Sequence, residues 1–210
     1  MSARASRAGR PCSPAVPTAG RPSAGRARLA SVPAAPTLVL VTGAPAAGKS
    51  TLAEAIADQL RGCTVVGWDW VMGALAQYPA VQAAVRGLNR QEYRRLGWSL
   101  MWSVAEEQLR YGRSVVLDGV ARETEIGATR ALASRIPPTR CLVVALECSN
   151  DERARARIEG RRRDIPGWHE LSWEDVDRSR RGWATPESAD RVIDTSGDPD
   201  PDELARALFR

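Results

Sequence analysis

From residue 37 onward, apolar and polar positions fall into two alternating kinds of run. Short, nearly continuous apolar stretches rich in Val, Leu and Ile occupy 37–42, 63–67, 114–117, 140–146 and 191–193. Runs of that length and composition read as strands buried on both faces. Between them, apolar residues recur at three- and four-residue spacing, which predicts helices at 50–60, 70–77, 90–111, 123–135, 151–159, 173–181 and 201–209. The first of these carries Leu52, Ala53, Ile56, Ala57 and Leu60 on one side, and the long third one Tyr93, Leu96, Leu100, Val104 and Leu109. Pro79 is expected to break the second helix, and Pro137-Pro138 to interrupt the chain before the fourth strand. Residues 160–172 show no period and read as irregular. Strands alternating with helices predict one α/β domain, a three-layer α/β/α sandwich around a five-stranded parallel sheet. Such sheets bind ligands at the carboxyl ends of their strands.

The junction between the first strand and the first helix carries chemistry. Gly43-Ala44-Pro45-Ala46-Ala47-Gly48-Lys49-Ser50-Thr51 fits G-x-x-x-x-G-K-[ST], the phosphate-binding P-loop, and lies where that motif belongs, after an apolar strand and at a helix start. A polyphosphate needs many donors, which such a loop supplies as inward-turned backbone N–H groups and the positive end of the helix. Lys49 brings a mobile charge to the β- and γ-phosphates, and the Ser50 hydroxyl suits Mg²⁺. Lys49 is also the only lysine in a chain that otherwise uses arginine. It stands where a flexible ammonium fits and a planar guanidinium does not. ATP and Mg²⁺ are therefore the expected cofactors.

Charge distribution narrows the partners. The net charge is +5, but residues 1–36 hold six arginines and no acid, so the remainder stands at −1. A near-neutral domain does not favour nucleic acid as the partner of the folded part. The tail, rich in Ala, Pro, Arg, Ser and Gly, is expected to be disordered, with some likeness to a transit peptide. Cys12, Cys63, Cys141 and Cys148 show no C-x-x-C spacing and read as reduced thiols. No run is long and apolar enough for a membrane helix, and a secretion signal is not evident. These features predict a cytoplasmic protein.

Three further segments are candidates for the site. The third strand ends Leu117-Asp118-Gly119-Val120-Ala121-Arg122, placing an acid opposite Ser50 as a second Mg²⁺ partner. The second strand ends Gly67-Trp68-Asp69-Trp70. Asp69 there could cap the helix expected from Trp70. After the fourth strand, Arg153, Arg157 and Arg161 recur every four residues and would share one helix face. Arg153 and Arg155 read as surface. His169, the lone histidine, reads as a loop residue, and the turn after Ile193 as passing near the base of a bound nucleotide.

On these motifs, residues 37–197 resemble P-loop small-molecule and nucleotide kinases, among them AAA-type ATP-binding proteins related to gluconate, shikimate and antibiotic kinases. The resemblance implies that Arg122, in D-G-x-x-R, reaches toward transferred or acceptor phosphate. Ala121 replaces the proline usual there, a departure from monophosphate kinases. Small-molecule kinases that this layout resembles place an aspartate after the second strand beside the acceptor hydroxyl, which implies that Asp69 orients the acceptor and takes its proton; that role and the helix cap are compatible. In the same kinases a lid after the fourth strand carries arginines over the triphosphate, so the resemblance implies that the arginine-rich segment is a lid, with at least one phosphate contact from Arg157 and Arg161. It also implies that the reaction moves the γ-phosphate of ATP to a hydroxyl of a small molecule. A nucleotide-dependent regulatory ATPase and a nucleic-acid end kinase are the competing readings. The absence of N-K-x-D argues against a GTPase.

Overall fold

A computed structural model describes residues 35–60 and 62–210. Almost all of the basic tail, with Cys12, lies outside the described residues. The elements run β1 (Thr37–Gly43), α1 (Lys49–Gln59), β2 (Thr64–Gly67), α2 (Trp68–Ala76), α3 (Pro79–Arg86), α4 (Arg90–Arg110) and β3 (Val115–Asp118). They continue α5 (Glu123–Ser134), β4 (Arg140–Glu147), α6 (Asp151–Glu159), α7 (Trp173–Arg181), β5 (Arg191–Asp194) and α8 (Pro201–Leu208).

The five strands form one parallel sheet in the order β2-β3-β1-β4-β5. Side chains alternate across it, so each strand feeds two cores. Leu38 and Leu40 join Trp98, Met101 and Leu109 of α4 and Ile126 and Leu132 of α5 on one face. Val39 and Val41 join Leu52 and Ile56 of α1 and Ala205 of α8 on the other. The α/β/α sandwich is therefore as expected. β1 has β3 on one side and β4 on the other, and the chain reverses its direction of winding there, which opens a crevice above the end of β1.

The pairing register sets the site. Val41 of β1 and Gly67 of β2 both lie level with Asp118, and Gly43 is level with Leu146. The P-loop, Asp118 and the start of α2 thus leave the same edge of the sheet.

Three expectations need correction. Pro79 does not simply end a helix: it occupies the first turn of α3, where its missing N–H would have no partner in any case. α2 begins at Trp68, two residues early, with Gly67 at its N-cap. Asp69 therefore lies inside the first turn and is not the cap. On α4 the buried stripe is Trp98, Met101, Ala105 and Leu109, and Val104 faces outward.

Candidate functional site

The loop from Gly43 to Lys49 is shaped by two glycines that no other residue could replace unchanged. Gly43 has φ 149°, and a Cβ there would lie 2.3 Å from the Leu146 carbonyl oxygen. Gly48, the N-cap of α1, adopts φ 84°, left-handed backbone that glycine takes without strain. Lys49 folds back over the loop, and its Nζ donates to the Ala44 carbonyl at 3.0 Å. Burial lowers the Lys49 pKa from its ordinary value, with Asp118 and Asp69 pulling the other way. No carboxylate forms an ion pair with it among the described residues. A buried ammonium that leans on a carbonyl suits an anion brought in from outside.

Beside it, Ser50 Oγ donates to Asp118 Oδ2 at 2.7 Å. Asp118 ends a fully buried strand and is itself buried. Two adjacent oxygen ligands are what Mg²⁺ takes from a protein when phosphate and water complete its octahedron. The described residues contain no cluster of three or more His, Cys, Asp or Glu that would hold a metal unaided. The donor set therefore fits Mg²⁺ carried in with a nucleotide.

Asp69 reaches the same group of residues through Arg163. Its carboxylate is ion-paired with Arg163, whose second Nη lies 3.5 Å from Ser50 Oγ. Burial raises the Asp69 pKa above the ordinary carboxylate value, and Arg163 opposes that rise without cancelling it. The Tyr93 hydroxyl is pushed upward too, by burial first and then by the Asp69 charge.

The arginine-rich segment divides differently from the four-residue spacing. α6 ends at Glu159, so Arg161 lies beyond it in the loop and does not share a helix face with Arg153 and Arg157. Arg157 lines the cleft, but its guanidinium is spent on the protein. It donates to the Ala46 carbonyl at 3.1 Å, to Thr195 Oγ1 at 3.0 Å and to the Thr195 carbonyl at 2.7 Å, and it pairs with Asp198. It ties the P-loop to the turn after β5. Arg153 also pairs with Asp198, while Arg155 pairs with Glu159 on the surface. The Arg161 side chain makes no hydrogen bond or ion pair among the described residues, while its backbone N–H donates to the Ile158 carbonyl at 3.2 Å. Its pKa is lowered, first by burial and then by Arg163. Two neighbouring lid guanidiniums thus face Lys49, Ser50 and Asp69. Arg163 was missed in the sequence, although it closes the run Arg161-Arg-Arg163.

Arg122 is exposed at the rim of the cleft, its backbone N–H donating to Glu125. His169 is exposed and lies against Trp168. The cleft holding these groups measures roughly 990 Å³, enough for a nucleotide and a second small molecule.

Residues 38–182 match the AAA domain family. The chain belongs to that family. No curated protein matches its sequence. Solved structures share the fold of this AAA domain at low identity. The APS kinase of Mycobacterium tuberculosis, solved with AMPPNP and APS, is 16% identical with a TM-score of 0.57, over 83% of this chain and 96% of its own. A sugar kinase from Janibacter sp. is 20% identical with a TM-score of 0.56, over 83% and 93%. A gluconokinase from Sinorhizobium meliloti is 19% identical with a TM-score of 0.53, over 81% and 88%. The fold is that of the P-loop kinases. No helix among the described residues is long and apolar enough to cross a membrane.

Proposed function

We propose that this chain is an ATP-dependent phosphotransferase that moves the γ-phosphate to a hydroxyl of a small molecule. The carrying observation is the position of Asp69. It leaves the same sheet edge as the P-loop and Asp118, and it pairs with Arg163, whose other Nη lies 3.5 Å from Ser50 Oγ. A carboxylate there can orient an acceptor hydroxyl and take its proton. The kinase names of the structural neighbours, and the AMPPNP and APS held by one of them, support the same reading.

In this reading Lys49 and the loop amides hold the β- and γ-phosphates. Ser50 and Asp118 hold Mg²⁺, which when bound neutralises charge on those phosphates. The acceptor hydroxyl donates to Asp69, which orients it and takes its proton as the oxygen attacks. Burial favours this work, since a carboxylate with a raised pKa is a stronger base. For it to act, Arg163 must release Asp69 toward the phosphates, where Arg161 and Arg163 would stabilise the charge spread over the transferring group. Arg157 acts as a positioning residue for the loop, and Arg122 reaches in from the rim.

The test is transfer of radiolabelled phosphate from ATP across a panel of hydroxylated metabolites, sugars and nucleosides. Lys49→Ala should lose nucleotide binding and turnover together. Asp69→Ala should keep AMPPNP binding and lose about 10²–10⁴-fold in turnover, the usual contribution of a general base. Full activity in Asp69→Ala would remove its assigned role. ATP hydrolysis that no compound stimulates would favour the regulatory ATPase instead.

A further inference from the structure

The cleft is far more basic than the domain that forms it. Eight basic side chains line it against four acidic ones, whereas the chain beyond residue 36 carries a net −1. Five of the eight lie on the donor side, on the P-loop, α6 and the lid. The other three, Arg90, Arg94 and Arg122, do not. Arg90 and Arg94 stand one turn apart on α4, the helix that packs against α2 and so backs Asp69. Arg122 stands at the N-terminal end of α5.

Glu125 draws these groups together. One of its oxygens pairs with Arg94 at 2.8 Å and accepts the Arg122 backbone N–H at 2.8 Å. Arg94 also donates to the Val120 carbonyl at 3.3 Å. The Arg94 guanidinium is thus fixed at the junction of α4 with the β3–α5 turn. Among the described residues, Glu125 is the only carboxylate paired with any of the three. Neither Arg90 nor Arg122 has a side-chain hydrogen bond or ion pair among the described residues. Trp68, Trp70 and Tyr93 line the same cleft, with the Tyr93 ring edge-on to Trp68 at 5.9 Å.

We infer that the acceptor half contains an oxyanion subsite, formed by Arg90, Arg94 and Arg122, for a carboxylate, sulfate or phosphate group on the acceptor itself. This rests on the phosphotransferase reading and narrows its substrate class to small hydroxylated anions. Guanidiniums bind such groups with paired donors, and a nucleotide phosphate seated on the P-loop leaves α4 to the second ligand. The aromatic side chains supply a wall for the carbon skeleton between hydroxyl and anion.

The experiment uses the full chain loaded with Mg²⁺ and AMPPNP, so that the donor half is filled. Inorganic phosphate and acetate are then titrated at low ionic strength by calorimetry. One of them should bind at a single site per chain, and Arg90→Gln should weaken that binding at least tenfold, with Arg90→Lys restoring part of it. Arg94→Gln should act likewise. If loss of the Glu125 pair unfolds that variant, Arg90→Gln decides alone. Arg110→Gln, on the same helix but paired with Glu106 outside the cleft, should change nothing. Absence of saturable binding, or binding indifferent to Arg90→Gln, overturns the subsite.

A second arm compares phosphate transfer to matched pairs, a hydroxy acid against its amide and a sugar phosphate against the free sugar. The anionic member should win at least tenfold in kcat/KM, and the pair that shows it distinguishes carboxylate from phosphate. Equal use of the neutral members overturns the subsite and leaves the phosphotransferase standing. Anion binding that depends on Arg90, with no compound phosphorylated, does the reverse.

Discussion

Two glycines in helix interiors make the same substitution act with opposite sign. Gly97 lies in the middle of α4 and Gly127 in the first half of α5. Helix propensity alone favours alanine at either place by about 1 kcal/mol. At Gly127 a new Cβ would meet nothing within 4 Å, so that gain should stand. At Gly97 it would lie 2.4 and 2.5 Å from the outer ring carbons of Trp68 and 3.0 Å from the Met72 sulfur. The ring contacts are about 1 Å short of the ~3.5–4.0 Å at which carbons rest together. Trp68 cannot swing aside freely, because Tyr93 and Trp98 each hold it at 5.9 Å between ring centres. Overpacking a filled site costs about 1–3 kcal/mol, and the upper half applies where the ring is boxed in. The net expectation is a loss of about 1–2 kcal/mol for Gly97→Ala and a gain of up to about 1 kcal/mol for Gly127→Ala. At about 2–4 °C per kcal/mol for a domain of this size, thermal unfolding should separate the variants by several degrees, one below the parent and one above. Since Trp68 precedes Asp69, Gly97→Ala should also depress acceptor-dependent turnover while AMPPNP still binds normally. Unfolding of Gly97→Ala at or above the parent temperature would refute the packing argument.

Two further outcomes concern charge. Asp194 accepts hydrogen bonds from Ser149 and Ser196 through both backbone and hydroxyl groups, led by the Ser149 hydroxyl at 2.7 Å, and its pKa is lowered to about 2. A depressed carboxylate stabilises the fold above its unfolded pKa of about 4, and that contribution is lost as the pH falls toward the folded value. Asp194→Asn should therefore unfold at lower temperature than the parent at pH 7, and the gap should close on acidification through about 2; a constant gap would mean another cause. The second outcome follows from Asp69. Arg163 holds its pKa below where burial would put it, so Arg163→Gln should move the acid limb of kcat/KM to higher pH, and an unmoved limb would separate Asp69 from the rate.

The donor half of the site was legible because it is encoded locally. An apolar strand, the five residues between Gly43 and Lys49 and a helix start contain most of its geometry, and both glycines there are demanded by positive-φ backbone. The three central strands were legible for a related reason: a strand buried on both faces must be apolar throughout, whatever packs against it; the edge strands β2 and β5 are not buried that way, with Val65 and Val192 exposed. α4 was harder. Leu96, Leu100 and Val104 are as apolar as Trp98, Met101 and Ala105, so period alone did not choose between two overlapping stripes. Tertiary contact chose. The stripe that turned inward bears Gly97, the one position on this helix where the Trp68 ring fits against bare backbone.

The acceptor half is dispersed, and this explains why Arg163 escaped notice. Spacing along α6 orders only the residues the helix contains, and α6 stops at Glu159. Past it, the path of the loop decides which guanidinium meets Asp69. That path is fixed by contacts remote in sequence. The backbone N–H groups of Arg163 and Asp164 donate to Glu170 at 2.8 and 3.2 Å, Ile165 is buried, and Gly167 lies so close to Gly73 of α2 that an added Cβ would fall 2.2 Å from its carbonyl oxygen. The lid is therefore seated on the same helix that carries Asp69. In the proposed phosphotransferase, a nucleotide that drew Arg163 toward its phosphates would break the Asp69 pair, and so would free that carboxylate only when a phosphoryl donor is in place. The contact between this loop and α2 would then link donor binding to acceptor activation, through the place where two glycines let backbone touch backbone.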